Sequence, residues 1–409
     1  MAHEGTSNQT KRVLLWIESS RAYGRGCLLG VAAYCSAHTR WQLFHVEHHL
    51  EEAVPTDLAA TGFDGVIART ENKAISDALH SLNVPIVDLR GSFPPKHGRM
   101  IDTSPTACAE LAFEHFWERG ITAMAFCGYE SVDFSERQRK AFVEHAATRD
   151  IAVDVFESDA RSSDARIRAS TLVSEARGEF DRTRMIEWLR GLPKPAAVLA
   201  ANDVRGRQVL AACAEADIAV PEEIAVLGID NDEVICELSH PPLSSIEPDT
   251  RSIGFAGAAS LDTLMSEPSR VNASSVRMIQ PLGVTVRQST DITAIDDLVV
   301  ARAAKMIREQ AESISSVEVL ADMVGLSRAT LERRFRSALG RSPHQEIDRI
   351  RLDRARSLVR GTTYPLHKIA DMVGYSNASR LVDAYKRRFK ITPGTDRQQS
   401  DDPFRDLAC

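Results

Sequence analysis

The pentapeptide Ala321-Asp-Met-Val-Gly325 occurs a second time as Ala370-Asp-Met-Val-Gly374, 49 residues further along the chain. Each copy ends an apolar helical pattern, and each is followed by one residue, a serine and an Arg-rich helical stretch. A helix, a glycine at the turn, a serine cap and a second helix form a helix-turn-helix. The repeat therefore predicts two helix-turn-helix units, each with a second helix that can enter the major groove of DNA.

The region around the two units has the pattern of a separate helical domain. Asp296 or Asp297 can cap a helix over residues 298–312, and a long helix over residues 343–359 connects the units. The second unit begins after Pro365, a residue that favours the start of a helix.

Charge also separates this region from the rest of the chain. Residues 296–400 hold 20 Lys and Arg against 13 Asp and Glu, a balance of +7, whereas the remainder holds 30 against 44, a balance of −14. A basic module on an acidic body is typical of a polyanion-binding domain joined to a body that need not touch DNA. A solvated basic face is the alternative that charge alone leaves open.

Composition places the 409-residue chain among soluble globular proteins, with 43% hydrophobic and 26% charged residues. No apolar run approaches the roughly 18 residues of a membrane span, and the first eleven residues lack the apolar stretch of a signal peptide. Seven cysteines without a Cys-x-x-Cys pair indicate reduced thiols. These features predict a cytoplasmic protein with no membrane partner.

Residues 11–290 alternate short apolar runs with helical segments. The run Val13-Leu-Leu-Trp-Ile17 is typical of a buried parallel strand, and six further runs are similar. The alternation predicts an α/β fold of doubly wound parallel sheets, and the length suits two lobes. Ligands of such sheets bind beyond the carboxyl ends of the strands. The candidate ligand residues at these ends are Ser19, Arg21, Arg25, Asp88, Phe134, Arg137, Asn202, Asp203 and Asp230.

The last 110 residues or so resemble the AraC-type DNA-binding domain. The likeness rests on the duplicated units, on the aromatic residue that closes each reading helix (Phe335 and Tyr385) and on the Thr-Pro ending. Two positions depart from the family: Lys390 replaces a frequent glycine, and Asp396 replaces a usual aromatic residue. The departures predict looser packing of the final helix.

This resemblance implies which side chains meet DNA. Arg333 could donate two hydrogen bonds to guanine, Glu332 could accept from cytosine, and Ala329 could pack on a thymine methyl group. The implied DNA-binding residues of the second unit are Asn377, Ala378, Ser379, Arg380 and Asp383. Those implied to contact phosphates are Arg328, Arg336, Lys386 and Arg387.

The N-terminal body resembles the effector domains of LacI-type repressors and the periplasmic sugar-binding proteins of type I. The likeness rests on Ala-Val-Leu-Ala-Ala-Asn-Asp203, Val-Leu-Gly-Ile-Asp-Asn231 and Pro-Pro-Leu-Ser-Ser-Ile246. It implies two lobes that close on a sugar, with Arg137, Asn202 or Asp203, and Asp230 bonding to its hydroxyls. Alternatively, Asp203 and Asp230 cap the helices that follow them.

Five arginines follow predicted strands, and they leave the charge of the ligand open. Beside Asp88, Asp203 and Asp230, they could hold a neutral sugar within a charge network, or a sugar acid or phosphorylated sugar through an arginine fork. The five are Arg21, Arg25, Arg69, Arg90 and Arg137.

An enzyme is the main alternative class of protein. The chain has no dinucleotide fingerprint, phosphate loop, nucleophile elbow or metal-binding helix motif. Asp203 and Asp230 could imitate a glycosidase pair. The metal-like cluster His45-Val-Glu-His-His49 would send alternate side chains to opposite faces of a strand, which favours a solvated strand end.

A LacI-type sensor ahead of an AraC-type reader is the order of parts in the xylose operon regulators, which this chain resembles throughout. The resemblance implies a sugar-responsive transcription activator that acts on operator DNA with RNA polymerase, as a homodimer and without a cofactor. Xylose or a related pentose is the implied effector. The predicted parts are a disordered tail at residues 1–10, the sensor at 11–290, a linker at 291–297, the DNA-binding domain at 298–400 and a tail at 401–409.

Overall fold

A computed structural model of the chain describes residues 10–90, 98–156, 171, 175–176, 181–266, 275–291, 297–362 and 364–400. The chain divides into two compact units, residues 1–292 and 293–409. The predicted tails, apart from residue 10, and the central part of the predicted linker, residues 292–296, lie outside the described residues. Within the described ranges, no helix is both long enough and apolar enough to cross a lipid bilayer.

Twelve strands and eight helices of the first unit are described. The strands are β1 (Arg12–Trp16), β2 (Gln42–His45), β3 (Gly65–Ala68), β4 (Ile86–Asp88), β5 (Gly98–Thr103), β6 (Ala123–Cys127), β7 (Val153–Phe156), β8 (Ala196–Ala200), β9 (Ile224–Ile229), β10 (Ser244–Glu247), β11 (Ser275–Ile279) and β12 (Gly283–Thr285). The helices are α1 (Ala22–His38), α2 (Lys73–His80), α3 (Pro105–Trp117), α4 (Asp133–Ala147), α5 (Arg182–Gly191), α6 (Asp203–Glu215), α7 (Glu233–Leu238) and α8 (Thr250–Ser266).

The strands form two sheets, one in each lobe. The first lobe has the order β11-β5-β4-β3-β1-β2, with every neighbouring pair parallel. The second lobe has the order β12-β10-β9-β8-β6-β7, in which only the β10–β12 pair is antiparallel. The chain passes between the lobes three times, after β5, after β10 and after β11.

The buried run in β1 shows why these strands are apolar throughout. Val13 and Leu15 face a core that includes α1 and α8, while Leu14 and Trp16 face the core on the other side of the sheet. A parallel strand covered on both faces needs apolar side chains in both directions. Helices α1 and α8 pack so closely that a Cβ at Gly254 would lie 1.9 Å from the Cys27 carbonyl oxygen.

The second unit is all helical in its described part. Its helices are α9 (Leu298–Gln310), α10 (Val317–Met323), α11 (Arg328–Leu339), α12 (Pro343–Gly361), α13 (Leu366–Met372), α14 (Ala378–Phe389) and α15 (Pro393–Ser400). Helices α10–α11 and α13–α14 form the two helix-turn-helix units, and α12 connects them. Asp297 caps α9, since its side chain accepts from the backbone N–H groups of Val299 and Val300. Ser327 and Asn377 cap the two reading helices, α11 and α14.

The expectation of a loosely packed final helix is wrong. Lys390 takes the left-handed conformation (φ 62°) that the family often assigns to glycine, and α15 follows it. Asp396 is fully buried, where its Oδ2 accepts hydrogen bonds from the Tyr385 hydroxyl at 2.6 Å and from Nε of Arg356 at 2.9 Å. Hydrogen bonding to a buried carboxylate thus replaces the packing of an aromatic ring.

Candidate ligand cavity and DNA-reading surface

A cavity of about 80 Å³ lies between the two lobes, at the carboxyl ends of their strands. Side chains from both lobes line it, so a ligand there would contact each of them. The lining residues are Arg21, Tyr23, Leu50, Arg69, Arg90, Asp102, Thr103, Pro105, Phe134, Arg137, Gln138, Thr171, Glu175, Ala201, Asn202, Ile229, Asp230 and Pro248.

Five of the nine predicted ligand residues line this cavity. Arg21 immediately precedes α1, and Phe134 and Arg137 lie in the first turns of α4. Asn202 follows β8, and Asp230 follows β9. Strand ends on both sheets therefore bring these side chains together, as the doubly wound pattern requires.

The other four predicted residues lie outside the lining. Ser19 binds Glu47, and its backbone carbonyl accepts from Arg25 at 2.9 Å. Asp88 is buried and accepts from the backbone N–H groups of Thr70, at 3.0 Å, and Arg90, at 3.3 Å. Each of these groups organises a loop beside the cavity.

Asp203 is the fourth residue outside the lining. It is buried at the start of α6, where it accepts from Oγ of Ser245 at 2.6 Å and from the backbone N–H of Asp232 at 2.7 Å. Burial, with the nearby charge of Asp230, raises the pKa of Asp203 well above its ordinary value. Asp203 thus stabilises the loop after β9 through the backbone of Asp232, at a position outside the cavity lining.

The helix cap after β8 is Asn202, not Asp203. Oδ1 of Asn202 accepts from the backbone N–H of Arg205 at 2.9 Å and from the Tyr129 hydroxyl at 3.1 Å. Its Nδ2 donates to Oε1 of Glu175 at 3.0 Å. With these three bonds Asn202 is fixed at the cavity wall.

Each of the four arginines that line the cavity has a carboxylate partner. Arg21 pairs with Glu175, and Arg137 pairs with Asp102. Arg90 lies 2.8 Å from Glu71. Arg69 forms a short ion pair with Glu18 and lies 3.8 Å from Glu71. The positive charge of the cavity wall is therefore largely compensated within the protein.

Asp230 differs from the other acidic residues of the wall. No hydrogen bond or ion pair to its carboxylate is found among the described residues, and its backbone has the strained φ of 111°. Burial raises its pKa to about 7, although Arg69, Arg90 and Arg21 attract the ionised form. The protein thus holds a carboxylate with free acceptor capacity at the cavity.

Arg137 links the lobes across the cavity. It extends from α4 in the second lobe and donates to Oδ2 of Asp102 at 3.1 Å and to the carbonyl of Arg90 at 3.0 Å, both in the first lobe. The backbone N–H of Ala22 in the first lobe donates to Oδ2 of Asp232 in the second at 3.0 Å. These contacts hold the lobes together around the cavity.

The sequence did not predict Asp102, Gln138 or Glu175, three of the polar residues in the cavity wall. Asp102 is the penultimate residue of β5, a strand that the apolar pattern did not reveal, and the same strand-end rule would have found it. Gln138 lies one residue beyond the predicted Arg137. Glu175 has no pattern around it that indicates a site, and only the fold brings it to Arg21 and Asn202.

The histidine cluster is dispersed by the fold. The ring Nε2 of His45 lies 2.9 Å from the carbonyl oxygen of Ile17, and the ring of His48 stacks on Trp16 with centroids 4.0 Å apart. In the part of the chain that the structure describes, no group of three or more His, Cys, Asp or Glu could hold a metal ion.

The predicted DNA-binding side chains lie on the two reading helices and their caps. On α11, Ala329, Arg333 and Arg336 are exposed, and Glu332 is half-buried. Nε of Arg328 lies 2.9 Å from Oε1 of Glu332, so Glu332 would exchange this partner for a base. In the second unit, Ala378 is half-buried, and the exposed residues are Asn377, Ser379, Arg380, Asp383, Lys386 and Arg387.

Comparisons with known proteins match both units. A model of the XylR N-terminal domain matches residues 12–100, a periplasmic binding protein-like domain matches 113–290, and a helix-turn-helix domain matches 320–399. The xylose operon regulatory protein of Escherichia coli K12 is 31% identical over 389 residues, which cover 93% of this chain and 95% of that protein. The protein of the same name from Haemophilus influenzae is 29% identical, and the match covers 95% of this chain and 98% of that protein.

Solved structures give the same result. The structure of a xylose-binding transcription activator, XylR, is 29% identical, covers 96% of this chain and 99% of its own, and has a TM-score of 0.75. A LacI family regulator from Enterococcus faecium with bound ribose is 17% identical and has a TM-score of 0.52, and the match covers 69% of this chain and 98% of that chain. This likeness shows the fold of the first unit alone. The predicted fold, a two-lobed α/β body followed by a double helix-turn-helix, is confirmed.

Proposed function

Because the chain belongs to the family of xylose operon regulatory proteins and is a sugar-sensing, DNA-binding transcription regulator, we propose that its cavity binds a neutral pentose of the xylose type. Two relatives are named for the xylose operon, and the solved relative is described as xylose-binding.

The observation that carries the proposal is the pairing of charges in the cavity wall. Arg21, Arg69, Arg90 and Arg137 are each compensated by a carboxylate, whereas Asp230 has no such partner in the described chain. A sugar hydroxyl can donate to Asp230 without bringing a new charge into the cavity. A neutral polyhydroxy ligand therefore satisfies the acceptor that the protein leaves free.

A sugar acid or sugar phosphate fits the same wall less well. Its anionic group would lie near the Asp230 carboxylate and the other acidic groups, and like charges at short range repel. It would also have to take an arginine from its present partner, which would leave that carboxylate buried and unpaired. Both costs are absent for a neutral sugar.

The lining supports a ligand with several hydroxyl groups. Polar side chains from both lobes face the cavity, and each of them can bond to a hydroxyl group. The hydroxyl-bonding residues proposed from the lining are Arg21, Arg137, Gln138, Asn202 and Asp230.

Ligand contacts on both lobes give a simple mechanism. A sugar that bonds to Arg21 of the first lobe and Asp230 of the second stabilises the conformation in which both lobes line the cavity. The population shifts toward that state, and DNA binding changes if the two states hold the reading units differently. A tenfold response in DNA affinity requires a coupling of only about 1.4 kcal/mol.

The DNA-binding function carries further proposals. We propose that the chain acts as a cytoplasmic homodimer, which would present four reading units to two half-sites, and that it activates transcription through contact with RNA polymerase. The bases and phosphates are contacted by the exposed residues of α11 and α14. Footprinting with mass measurement of the complex tests the stoichiometry.

We also propose that the chain has no enzymatic activity. A glycosidase needs two carboxyl groups that flank the bond to be cleaved, but Asp203 is outside the cavity lining and bonded to Ser245 and Asp232. The other two carboxylates of the lining, Asp102 and Glu175, are paired with Arg137 and Arg21, so neither is placed to act with Asp230 as acid or nucleophile. Release of nitrophenol from aryl pentosides by the wild type, lost in Asp230→Asn, would contradict the proposal.

Calorimetry with matched ligands tests the effector class. The set contains xylose, arabinose and ribose, with xylonate as the acid and xylose 5-phosphate as the phosphate. We expect a neutral pentose to bind the wild type and to bind Asp230→Asn at least about tenfold more weakly, since a buried bond to a charged acceptor is lost. Binding of xylonate or the phosphate without any neutral pentose would overturn the proposal.

A further inference from the structure

The duplication of the helix-turn-helix extends to a buried carboxylate in each unit. Glu346 lies four residues after Ser342, the cap of α12, and Asp396 lies four residues after Thr392, whose hydroxyl caps the start of α15. Both carboxylate residues are fully buried, with a relative exposure of 0%. Each therefore sits in the first turn of the helix that follows a reading helix.

The carboxylate of the first unit is held by two arginines. Arg349, one turn along α12, donates from Nε to Oε2 of Glu346 at 2.9 Å and from Nη2 to Oε1 at 2.7 Å. Arg341, in the turn after α11, forms a short bond to the same carboxylate. Burial opposes ionisation of Glu346, but these bonds outweigh it and lower its pKa to about 2. The turn between α11 and α12 is thus bonded to the first turn of α12.

Arg349 continues the contacts along α12. Its Nη1 lies 3.5 Å from Oδ2 of Asp353, one turn further on. Asp353 in turn accepts from Nη2 of Arg388, at 2.8 Å and 3.0 Å to its two oxygens. Arg388 belongs to the last turn of α14, the second reading helix.

The carboxylate of the second unit closes the series. Asp396 accepts from Arg356 of α12 and from the hydroxyl of Tyr385 in α14. The guanidinium of Arg356 also lies 4.6 Å from the centre of the Phe389 ring, at the end of α14. Arg356 and Asp396 therefore form a second link between α12 and α14.

These groups lie along one face of α12. Glu346, Arg349, Asp353 and Arg356 follow the spacing of three and four residues that places side chains on the same helix face. At 1.5 Å per residue they span about 15 Å. One end contacts the turn after the first reading helix, and the other contacts the second reading helix. We call these four residues, with Arg341, Arg388 and Asp396, the α12 ion ladder.

We propose that the α12 ion ladder fixes the orientation of the second reading helix relative to α12 and the turn that follows the first reading helix, so that the two units bind DNA with a strict spacing of sub-sites. Its members are positioning residues that act through α12 and α14. Apolar side chains of α12 and α14 also pack together, but apolar contacts are not directional. The forked bond of Arg349 to Glu346 is planar and directional, and Nη2 of Arg388 contacts both oxygens of Asp353, so these bonds restrict the angle more than apolar packing does.

The test uses the full chain and a DNA duplex selected by the wild-type protein from a random library. Footprinting on that duplex defines the two sub-sites, and a second duplex carries one extra base pair between them. The insertion turns one sub-site by about 35° relative to the other, at 10–10.5 base pairs per turn. The measured quantity is the insertion penalty, the ratio of the two dissociation constants.

Asp353→Asn is the principal variant, because Asp353 is partly exposed and its loss leaves the apolar core intact. We expect its insertion penalty to fall by about threefold or more relative to the wild type. Arg388→Gln should also lower the penalty, and the double variant should lower it by less than the sum of the two single effects, since both variants break the Asp353–Arg388 contact. Asp371→Asn makes the same change of charge at an exposed position of α13 and should leave the penalty unchanged.

Three results would overturn the proposal: an unchanged penalty in Asp353→Asn, the same fall in Asp371→Asn, or effects of Asp353→Asn and Arg388→Gln that add. Simple destabilisation lowers the active fraction on both duplexes equally, so it does not change the ratio.

Discussion

Arg137 and Asp102 come from different lobes, and their side chains meet at the ligand cavity with Nη1 of Arg137 3.1 Å from Oδ2 of Asp102. The same guanidinium donates from Nη2 to the carbonyl of Arg90 at 3.0 Å and from Nε to Asp133 in its own helix at 2.9 Å. The guanidinium of Arg137 therefore lines the cavity and also bonds the two lobes to each other. A change in this side chain should affect both the cavity wall and the contact between the lobes.

Replacement of Arg137 by lysine should weaken ligand binding although the charge is kept. An ammonium group cannot reproduce three bonds in one plane, so the lobes lose a contact that the ligand relies on. We expect a loss of roughly 10- to 100-fold in sugar affinity, about 1.4–2.8 kcal/mol, measured by calorimetry. Arg139→Lys is the control, since Arg139 pairs with Glu136 outside the cavity. Equal losses in both variants would contradict the role of Arg137.

Sugar binding should strengthen as pH rises through about 7. The pKa of Asp230 is raised to about 7, mainly by burial, so below that pH the carboxyl group is protonated in the empty cavity and presents a poorer acceptor. A ligand that prefers the ionised form must displace this proton, so affinity falls by up to about tenfold per pH unit below the pKa. Calorimetry between pH 5.5 and 8 measures the slope.

Asp230→Asn provides the control for this slope. The amide does not titrate, so its affinity should be lower and nearly independent of pH over the same range. A wild-type affinity that does not vary with pH would show that Asp230 does not bond to the sugar.

Glu71 should make the ligand-free sensor less stable as pH rises. Burial raises its pKa to about 7, against the attraction of Arg90 and Arg69. Between about 4.5, the usual value, and 7, the folded state binds more protons at Glu71 than the unfolded state. The free energy of unfolding therefore decreases with rising pH, by at most about 1.4 kcal/mol per unit from this group, and it decreases no further above pH 7.

Urea denaturation followed by tryptophan fluorescence tests this prediction. All four tryptophans belong to the first unit, so the signal reports on the sensor. Glu71→Gln should reduce the slope of the unfolding free energy against pH, between pH 5 and pH 7, by the equivalent of about one proton. Glu110→Gln, at an exposed position of α3, should leave that slope unchanged. An unchanged slope in Glu71→Gln would show that this carboxyl group titrates normally.

Two arginines of α11 should differ in the kind of DNA binding they support. Arg333 is predicted to bond to a guanine. Arg333→Ala should weaken DNA binding by about 1–3 kcal/mol and should relax the base preference at one base pair. Arg336, predicted to contact a phosphate, should weaken binding to all sequences alike and reduce the salt slope by about one. Anisotropy titrations on single-base variants at three salt concentrations separate the two. Identical profiles would refute the assignment.

The close contact of α1 and α8 should not tolerate a methyl group. A Cβ at Gly254 would lie 1.9 Å from the Cys27 carbonyl oxygen, whereas one at Gly191 would meet no atom within 4 Å. We expect Gly254→Ala to destabilise the sensor by about 3 kcal/mol, since overpacking shifts the backbone. Gly191→Ala should be neutral or stabilising by about 0.5 kcal/mol. Tryptophan-detected denaturation measures both, and equal stabilities would disprove the close packing.

The sequence by itself determined what depends on local pattern. Apolar runs such as Val13-Leu-Leu-Trp-Ile17 identify buried parallel strands, because a strand covered on both faces cannot alternate. The repeated pentapeptide, with Ser327 after the first copy, identifies the helix-turn-helix units, because turn and cap chemistry act within a few residues. The position of Arg21 and Asp230 just after apolar strands also predicts them as cavity residues, because ligands of parallel sheets bind beyond the carboxyl ends of the strands.

Only the tertiary structure decided which of these side chains share a cavity. Asp88 and Asp230 both lie at strand ends, yet one turns inward to hold a loop while the other faces the cavity with its carboxylate free. Glu175 reaches Arg21 across 154 positions of sequence, and Asp396 finds Arg356 and Tyr385 in other helices. Side-chain direction and the partner of each charge depend on contacts between distant segments, which only the folded chain brings together.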